Sequence, residues 1–431
     1  MSMTAIMFLV FFLLIFLSVP IGWALGISAV TGLVLGGGGF NLVLLASRLY
    51  NSTNSFVLMA LPFFILAGNI MSRGGLSRRL IAFCKSLIGW ARGGLSMVSI
   101  LTAFFFSAIS GSNAATTAAV GGMMVPELEK HGYPREVSAA TVAAAGTTGM
   151  VIPPSSGMVI YAACSMGTVS LPALFEGGLI PGVLMSVSMM VAAYFMARHL
   201  NIPREKWGGV RNVGRTFIRA IGALLMPIII LGGIYSGTFT ATEAAVIACV
   251  YALIVTLFVY RDLTVRELPK IFWESAITSA VGMVVITCAS MFSYVLTKEH
   301  IPERLASLFL SWTDDRLLIM LLINAVLLIA GCFVTPSCAI VVLVPIFLPL
   351  CTGFGISPVA LGVIMVMNLS IGAITPPVGG CVFVASSIAQ TNVEKIFRRV
   401  MPFLLVLLLD LALVNVFDDL ILFLPRLLGE L

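Results

Sequence analysis

Residues Gly146 to Gly157 read GTTGMVIPPSSG. The flanking chain is apolar enough to run as helix, yet two adjacent prolines interrupt it. Proline inside a helix removes a backbone donor and clashes with the preceding turn. The interruption recurs, for Leu369 to Gly380 read LSIGAITPPVGG. A shift of 223 residues, the separation of Pro153 from Pro376, lays one stretch on the other without gaps. The same shift pairs Pro126 with Pro349, Gly132 with Gly355, Gly149 with Gly372, Pro154 with Pro377 and Gly157 with Gly380. Glycine and proline set backbone geometry, so their coincidence marks a repeated shape more than a repeated composition. Upstream, ISGSNAAT (Ile109 to Thr116) corresponds to FVTPSCAI (Phe333 to Ile340), with Ser112 falling on Thr335.

The medium in which this shape folds follows from composition. The 431 residues are 60% hydrophobic and only 10% charged, against about 25% charged in soluble domains. Their mean hydropathy is +1.11. Apolar runs recur along the whole length, and roughly ten crossings of about 20 residues each fit within it. The chain is therefore an all-α polytopic membrane protein, since a signal peptide followed by a soluble domain would not carry so many runs. Its net charge of +6 does not point to nucleic acid, because the basic residues sit in short clusters between apolar runs, as cytoplasmic loops do. The eight cysteines stand singly with no CxxC spacing, so neither a metal site nor a disulfide frame is expected.

Lysine and arginine are retained on the cytoplasmic face, and one threading satisfies the clusters Arg73–Arg92, Lys130–Arg135, Arg198–Arg219, Arg261–Lys270 and Lys395–Arg399 together. Only Arg48, Lys298, Arg304, Arg316 and Arg426 then lie outside. This threading requires residues 95–129 and 316–351 to enter and leave on one face each, as re-entrant hairpins. The first opens to the cytoplasm and the second to the opposite side, with Asp314 and Asp315 at its entrance. Residues 4–36 exceed one crossing, so two short spans breaking near Pro20 and Gly22 are expected.

Each repeat unit is thus a hairpin followed by a broken helix: 95–129 with 136–168, and 316–351 with 357–390. The two units are inverted in the membrane, a pattern of secondary transporters with a midplane site. Segments 1–94 (helices and an amphipathic cytoplasmic arm), 176–315 and 393–431 (a C-terminal helix) form a scaffold around the units 95–175 and 316–392.

In hydrocarbon, non-helical backbone persists only where protein, ions or water satisfy it. The four breaks are rich in neutral oxygen donors: Ser110, Ser112, Asn113, Thr147, Thr148, Ser155 and Ser156 in the first unit, and Thr335, Ser337, Asn368, Ser370 and Thr375 in the second. Together with carbonyls around Gly146, Gly149 and Gly372, such donors suit a small hard monovalent cation, and sodium is the natural one. Half-helices that restart after Pro154 and Pro377, beside Gly379, and those leaving the hairpin tips turn their positive ends inward, where an anion would be held without a buried lysine. Serine and threonine also serve as simple glue between packed helices.

Ionisable residues at membrane depth are few. Glu243, after Thr240 and Thr242, reads as a helix-start carboxylate, and Asp410 could pair with a neighbouring subunit. No GxxxxGK[ST] loop is present, so the chain is no ATP-driven pump by itself. No Ser/His/Asp set stands at membrane depth as a hydrolase needs. An enzyme is not expected, and no cofactor is called for.

The segments LPFFILAGNIMSRGGLSRRL, FSAISGSNAATTAAVGGMMVPELEKHGY, AAGTTGMVIPPSSGMVIYA, GTFTATEAAVIACVYAL and NLSIGAITPPVGG resemble the large membrane subunit of tripartite ATP-independent periplasmic (TRAP) transporters, in order and over nearly the whole chain. The resemblance implies sodium-driven import of sialic acid or C4-dicarboxylates across the bacterial inner membrane, with a separate small four-helix membrane subunit and a periplasmic substrate-binding protein as partners. It also implies an elevator mechanism, with SGSN and GTTGMVIPP forming one sodium site and VTPSC with SIGAITPP the other. Ser155, Ser156, Asn368 and Gly379 are then the expected substrate contacts. The family often carries an acidic residue shortly after the first tip, where NAATTAA has none. The alternative is a stand-alone carboxylate or ion antiporter of similar hairpin architecture.

Overall fold

The structure, a computed structural model, describes all residues except 1–2, 18, 36–41, 166, 201, 203–206, 302–303, 305–314 and 431. Asp314 of the second hairpin entrance, and Arg204 and Lys206 of one basic cluster, fall outside the described residues. The described residues form helices, eight of them long and apolar enough to cross a membrane.

The N-terminal run divides into α1 (Met3–Phe16) and α2 (Ile21–Leu35), which pack on each other. Next come α3 (Leu42–Thr53), α4 (Phe56–Arg73) and α5 (Leu76–Ile88). Helix α5 is amphipathic: it buries Leu76, Leu80, Phe83 and Cys84 and leaves Arg78 exposed. Lys85 on α5 reaches Glu127 at 3.1 Å, and that ammonium holds the Glu127 carboxyl below the usual carboxylate range.

The first repeat unit comprises α6 (Gly94–Ser110), α7 (Asn113–Lys130), α8 (Arg135–Gly146), a 3-10 turn over Thr147–Met150, and α9 (Ser156–Cys164). Helices α10 (Leu171–His199), α11 (Val210–Tyr235), α12 (Ala241–Ile254) and α13 (Leu268–Lys298) follow. The second unit is α14 (Arg316–Phe333), α15 (Pro336–Gly353), α16 (Pro358–Gly372) and α17 (Gly380–Ala389). The 223-residue shift carries the starts of α7 and α8 onto those of α15 and α16, and the ends of α6 and α7 onto those of α14 and α15. Both diproline pairs, Pro153–Pro154 and Pro376–Pro377, contain a cis peptide bond.

The two units interlock reciprocally. Helix α7 packs on α17 of the second unit, and α15 packs on α9 of the first. The exchange pairs elements that the 223-residue shift relates, α7 with α15 and α9 with α17.

Helices α2, α3 and α4 pack on α13, and α4 packs closely on α12. Helix α10, grouped by sequence with the central scaffold, instead lies mainly against α6 and the C-terminal helices. Those helices are two where one was expected: α18 (Val393–Val416) and α19 (Asp419–Leu428). Asp418 and Asp419 interrupt the apolar run there, and Asp418 is drawn into an ion pair with Arg316 at the start of α14. Asp410 has its partner within the chain: it is buried in α18 and accepts a hydrogen bond from Ser188 of α10. Glu243 caps α12, with the Thr240 N–H donating to its carboxylate at 2.8 Å and its own N–H donating to Thr240 Oγ at 3.3 Å.

Candidate transport site at the hairpin tips

The first tip is tied to its broken helix by direct hydrogen bonds. Gly111 turns the chain at φ 61°, a left-handed conformation that glycine adopts without a Cβ clash. Its carbonyl accepts from both the N–H and the hydroxyl of Ser156, at 3.1 and 2.6 Å. Asn113 Oδ1 accepts from the Met150 N–H at 2.8 Å. The Ser107 and Thr148 hydroxyls are 2.9 Å apart, and those of Ser110 and Thr116 are 2.6 Å apart. Backbone meets backbone at Gly149, where an added Cβ would lie 2.5 Å from the Ser112 carbonyl oxygen. Gly146 likewise abuts the Thr117 hydroxyl of α7. Thr147, Thr148 and Ser155 are fully buried; Thr147 and Thr148 donate to the Ala144 and Ala145 carbonyls at 2.7 and 2.8 Å, leaving their lone pairs as acceptors.

The second tip is looser. Thr335 and Phe333 are exposed, as are Pro376, Pro377 and Val378 across from them. Contact is made deeper, where an added Cβ on Gly372 would fall 2.6 Å from the Gly331 Cα, and where the Gly379 N–H donates to the Cys332 carbonyl at 3.3 Å. The Thr375 hydroxyl returns to the Ile371 carbonyl at 2.9 Å. Behind the break, Asn368 donates to Asn324 Oδ1 at 2.6 Å and Asn324 donates to Asn415 Oδ1 at 2.8 Å, a chain of amides joining α16, α14 and α18. Among the described residues of the two units' tips and breaks, the buried Asn368 Oδ1, Ser370 Oγ and Asn113 Nδ2 have no partner. Buried polar atoms are nearly always satisfied, so such atoms mark places where an ion or water belongs.

Between the tips lies a cavity of about 490 Å³. The first tip contributes Ser112, Asn113 and Ala114, and the second contributes Cys332 through Cys338. Ala373, Val378, Gly380 and Cys381 of the second break and Thr278 to Ile286 of α13 complete the wall. Among the described residues no charged side chain lines it. Three helices begin at this wall, α7 at Asn113, α15 at Pro336 and α17 at Gly380. Helix starts favour an anion through their dipoles and free first-turn N–H groups, although Pro336 carries no N–H and the Cys381 N–H already donates to the Ala373 carbonyl at 2.9 Å.

The fold therefore brings Ser112, Asn113, Thr335 and Ser337 around one space. Ser110, Gly146, Thr147, Thr148 and Gly149 pack behind the first tip, and Ser370, Gly372 and Thr375 behind the second. Ser155, Ser156, Asn368 and Gly379, expected to touch substrate, do not line the cavity. Ser155 caps α9 and bonds the Met150 carbonyl, Ser156 is spent on Gly111, and Asn368 faces the amide chain. Sequence reading missed Asn324 and Asn415. An amide inside LLINAVLL or ALVNVF was the signal available, since a lone amide in an apolar run seeks a partner across helices.

Two hairpin tips facing two broken helices over a dipole-lined cavity make a membrane transport permease. Comparison with known proteins gives the family. Residues 8–420 match the model of the DctM component of tripartite ATP-independent periplasmic transporters, and the chain belongs to that family. It is 42% identical over 385 residues to the C4-dicarboxylate TRAP transporter large permease protein of Pseudomonas aeruginosa, covering 89% of this chain and 90% of that one. It is 40% identical to the isethionate TRAP transporter permease protein of Oleidesulfovibrio alaskensis, covering 96% of this chain and 64% of the longer relative. Among solved structures, the YdaH transporter of Alcanivorax borkumensis shares the fold, with a TM-score of 0.65 at 16% identity over 88% of this chain and 89% of that one. The chain is a transporter subunit and not an enzyme.

Proposed function

We propose that this permease imports a small organic anion, of the C4-dicarboxylate or sialic acid class, across the bacterial inner membrane at the expense of a sodium gradient. The carrying observation is the tip cavity, neutral in its side chains yet faced by three helix starts. The anion is held there by backbone N–H groups. Sodium occupies the two breaks: Ser110, Ser112, Asn113, Thr147, Thr148 and carbonyls near Gly149 form the first site, and Thr335, Ser337, Ser370, Thr375 and carbonyls near Gly372 the second. The partnerless oxygens of Asn368 and Ser370 support a cation at the second break. Because both breaks abut the same cavity, filling them neutralises the anion and lets cargo and ions move together. Movement is of the elevator type, in which the hairpins and broken helices slide against α13, the one cavity wall outside the repeat. A periplasmic binding protein delivers the anion, and a separate small four-helix subunit braces the scaffold.

The test is uptake of labelled succinate or sialic acid into proteoliposomes. Chain, small subunit and loaded binding protein together should accumulate the anion only under an inward sodium gradient. Equal uptake by the chain alone, without the other two, would favour the stand-alone antiporter.

A further inference from the structure

We infer that a second cavity, around Arg48, is the outer receiving station for the anion, binding its carboxylate or sulfonate before the anion enters the tip cavity. This rests on the transport reading above. The cavity measures about 280 Å³, and its polar wall is Arg48, Asn51, Ser52 and Ser55 of the α3–α4 junction with Ser290 and Ser293 of α13. Val341 and Pro345 of the second hairpin close it, beside Cys164 at the end of α9.

Its position makes it a station on a path. Ile286 and Val341 are walls of both cavities. Along α13 the tip cavity takes Thr278 to Ile286 and the Arg48 cavity takes Ile286 to Ser293, on the way to Lys298 at the helix end. Arg48 and Lys298 are both among the few basic residues that the charge rule leaves on the outer side.

The chemistry also fits. An anion leaving water needs its charge met, and among the described residues Arg48 is the sole basic side chain in either wall. Its guanidinium lies 4.8 Å over the Tyr294 ring, which orients the plane. Among the described residues it has no carboxylate within ion-pair distance. An unclaimed guanidinium offers two parallel donors matched to a carboxylate or sulfonate, and lysine cannot copy that fork. Surrounding hydroxyls and the Asn51 amide supply bonds for the substituents of the anion.

Two measurements test this. In the reconstituted three-part system, Arg48→Gln should lower the rate of succinate uptake at least tenfold at saturating loaded binding protein, with Arg48→Lys intermediate. The affinity of the binding protein for the membrane complex should change less than twofold. A second readout needs no transport: Cys164 shares the cavity, and its modification is followed by peptide mass spectrometry with an anionic sulfonate and a cationic ammonium methanethiosulfonate. The ratio of anionic to cationic rates should fall at least fivefold in Arg48→Gln. Unchanged uptake with an unchanged ratio overturns the inference, and so does a loss confined to binding-protein affinity, which would make Arg48 a docking residue. If the unsubstituted system fails to move the anion, the function proposed above falls, while the Cys164 ratio still reports on Arg48.

Discussion

At the scale of single residues, two kinds of atom carry the site: backbone that must touch backbone, and oxygens left without partners. Gly149 belongs to the first kind, because any side chain there enters the Ser112 carbonyl. Gly149→Ala is expected to destabilise the detergent-solubilised protein by about 1–3 kcal/mol, as overpacking does, and to abolish uptake. Gly122→Ala is the control: its methyl meets nothing within 4 Å, and helix propensity should raise stability by about 0.5–1 kcal/mol. Ser370 belongs to the second kind. With no bond to lose, Ser370→Ala should melt like the parent in sodium-free buffer. In sodium the parent should gain stability by mass action, about 2.7 kcal/mol at a hundredfold excess over Kd, and the variant should gain less. An identical sodium shift in both proteins would remove Ser370 from the ion site.

At the scale of elements, the hairpins and broken helices are held by contacts of unequal reach. The amide chain Asn368–Asn324–Asn415 spans three helices. Asn324→Leu leaves the Asn368 amide only the Asn324 backbone carbonyl, at 3.0 Å, takes the donor from Asn415 Oδ1, and should cost about 1–3 kcal/mol, whereas replacing Asn324 and Asn415 together by apolar residues of similar shape should recover much of the loss in a thermal melt. At the surface, Lys85 ties α5 to the first hairpin. Because the Glu127 carboxyl is depressed in the folded state, its stabilising contribution is complete above about pH 4.3, the unfolded value. It is lost as pH falls through the lower folded value, so proteolytic exposure of the α5–α6 link should not change between pH 7 and 5. The element boundaries were legible because glycine and proline fix the backbone locally, and the 223-residue shift needs only those residues. The facing of Ser155 and Ser156 was not legible, since it depends on which carbonyl the first tip presents. Nor was the amide chain, whose members lie far apart in sequence. The C-terminal break escaped because Asp418 finds Arg316 only through the fold.

At the scale of the whole molecule, the tip cavity joins the repeat to the rest of the chain, with α13 as the stationary face of the proposed elevator. A short bifunctional thiol reagent linking a Val281→Cys variant to native Cys338 across that cavity should arrest uptake, and cleaving the link should restore it. Transport through the intact cross-link would exclude sliding at this face. The two units are alike in backbone yet differ at their tips, one buried and bonded, the other exposed. Duplicated parts that begin identical need not stay equivalent. A substitution at the first tip disturbs several hydrogen bonds at once, so that copy is held to its inherited residues. The second tip makes fewer hydrogen bonds, so outside the proposed ion ligands Thr335 and Ser337 it is freer to change. Adaptation to a new cargo should therefore accumulate at Phe333 and Val334 of the cavity wall, leaving Gly111 to Asn113 unchanged.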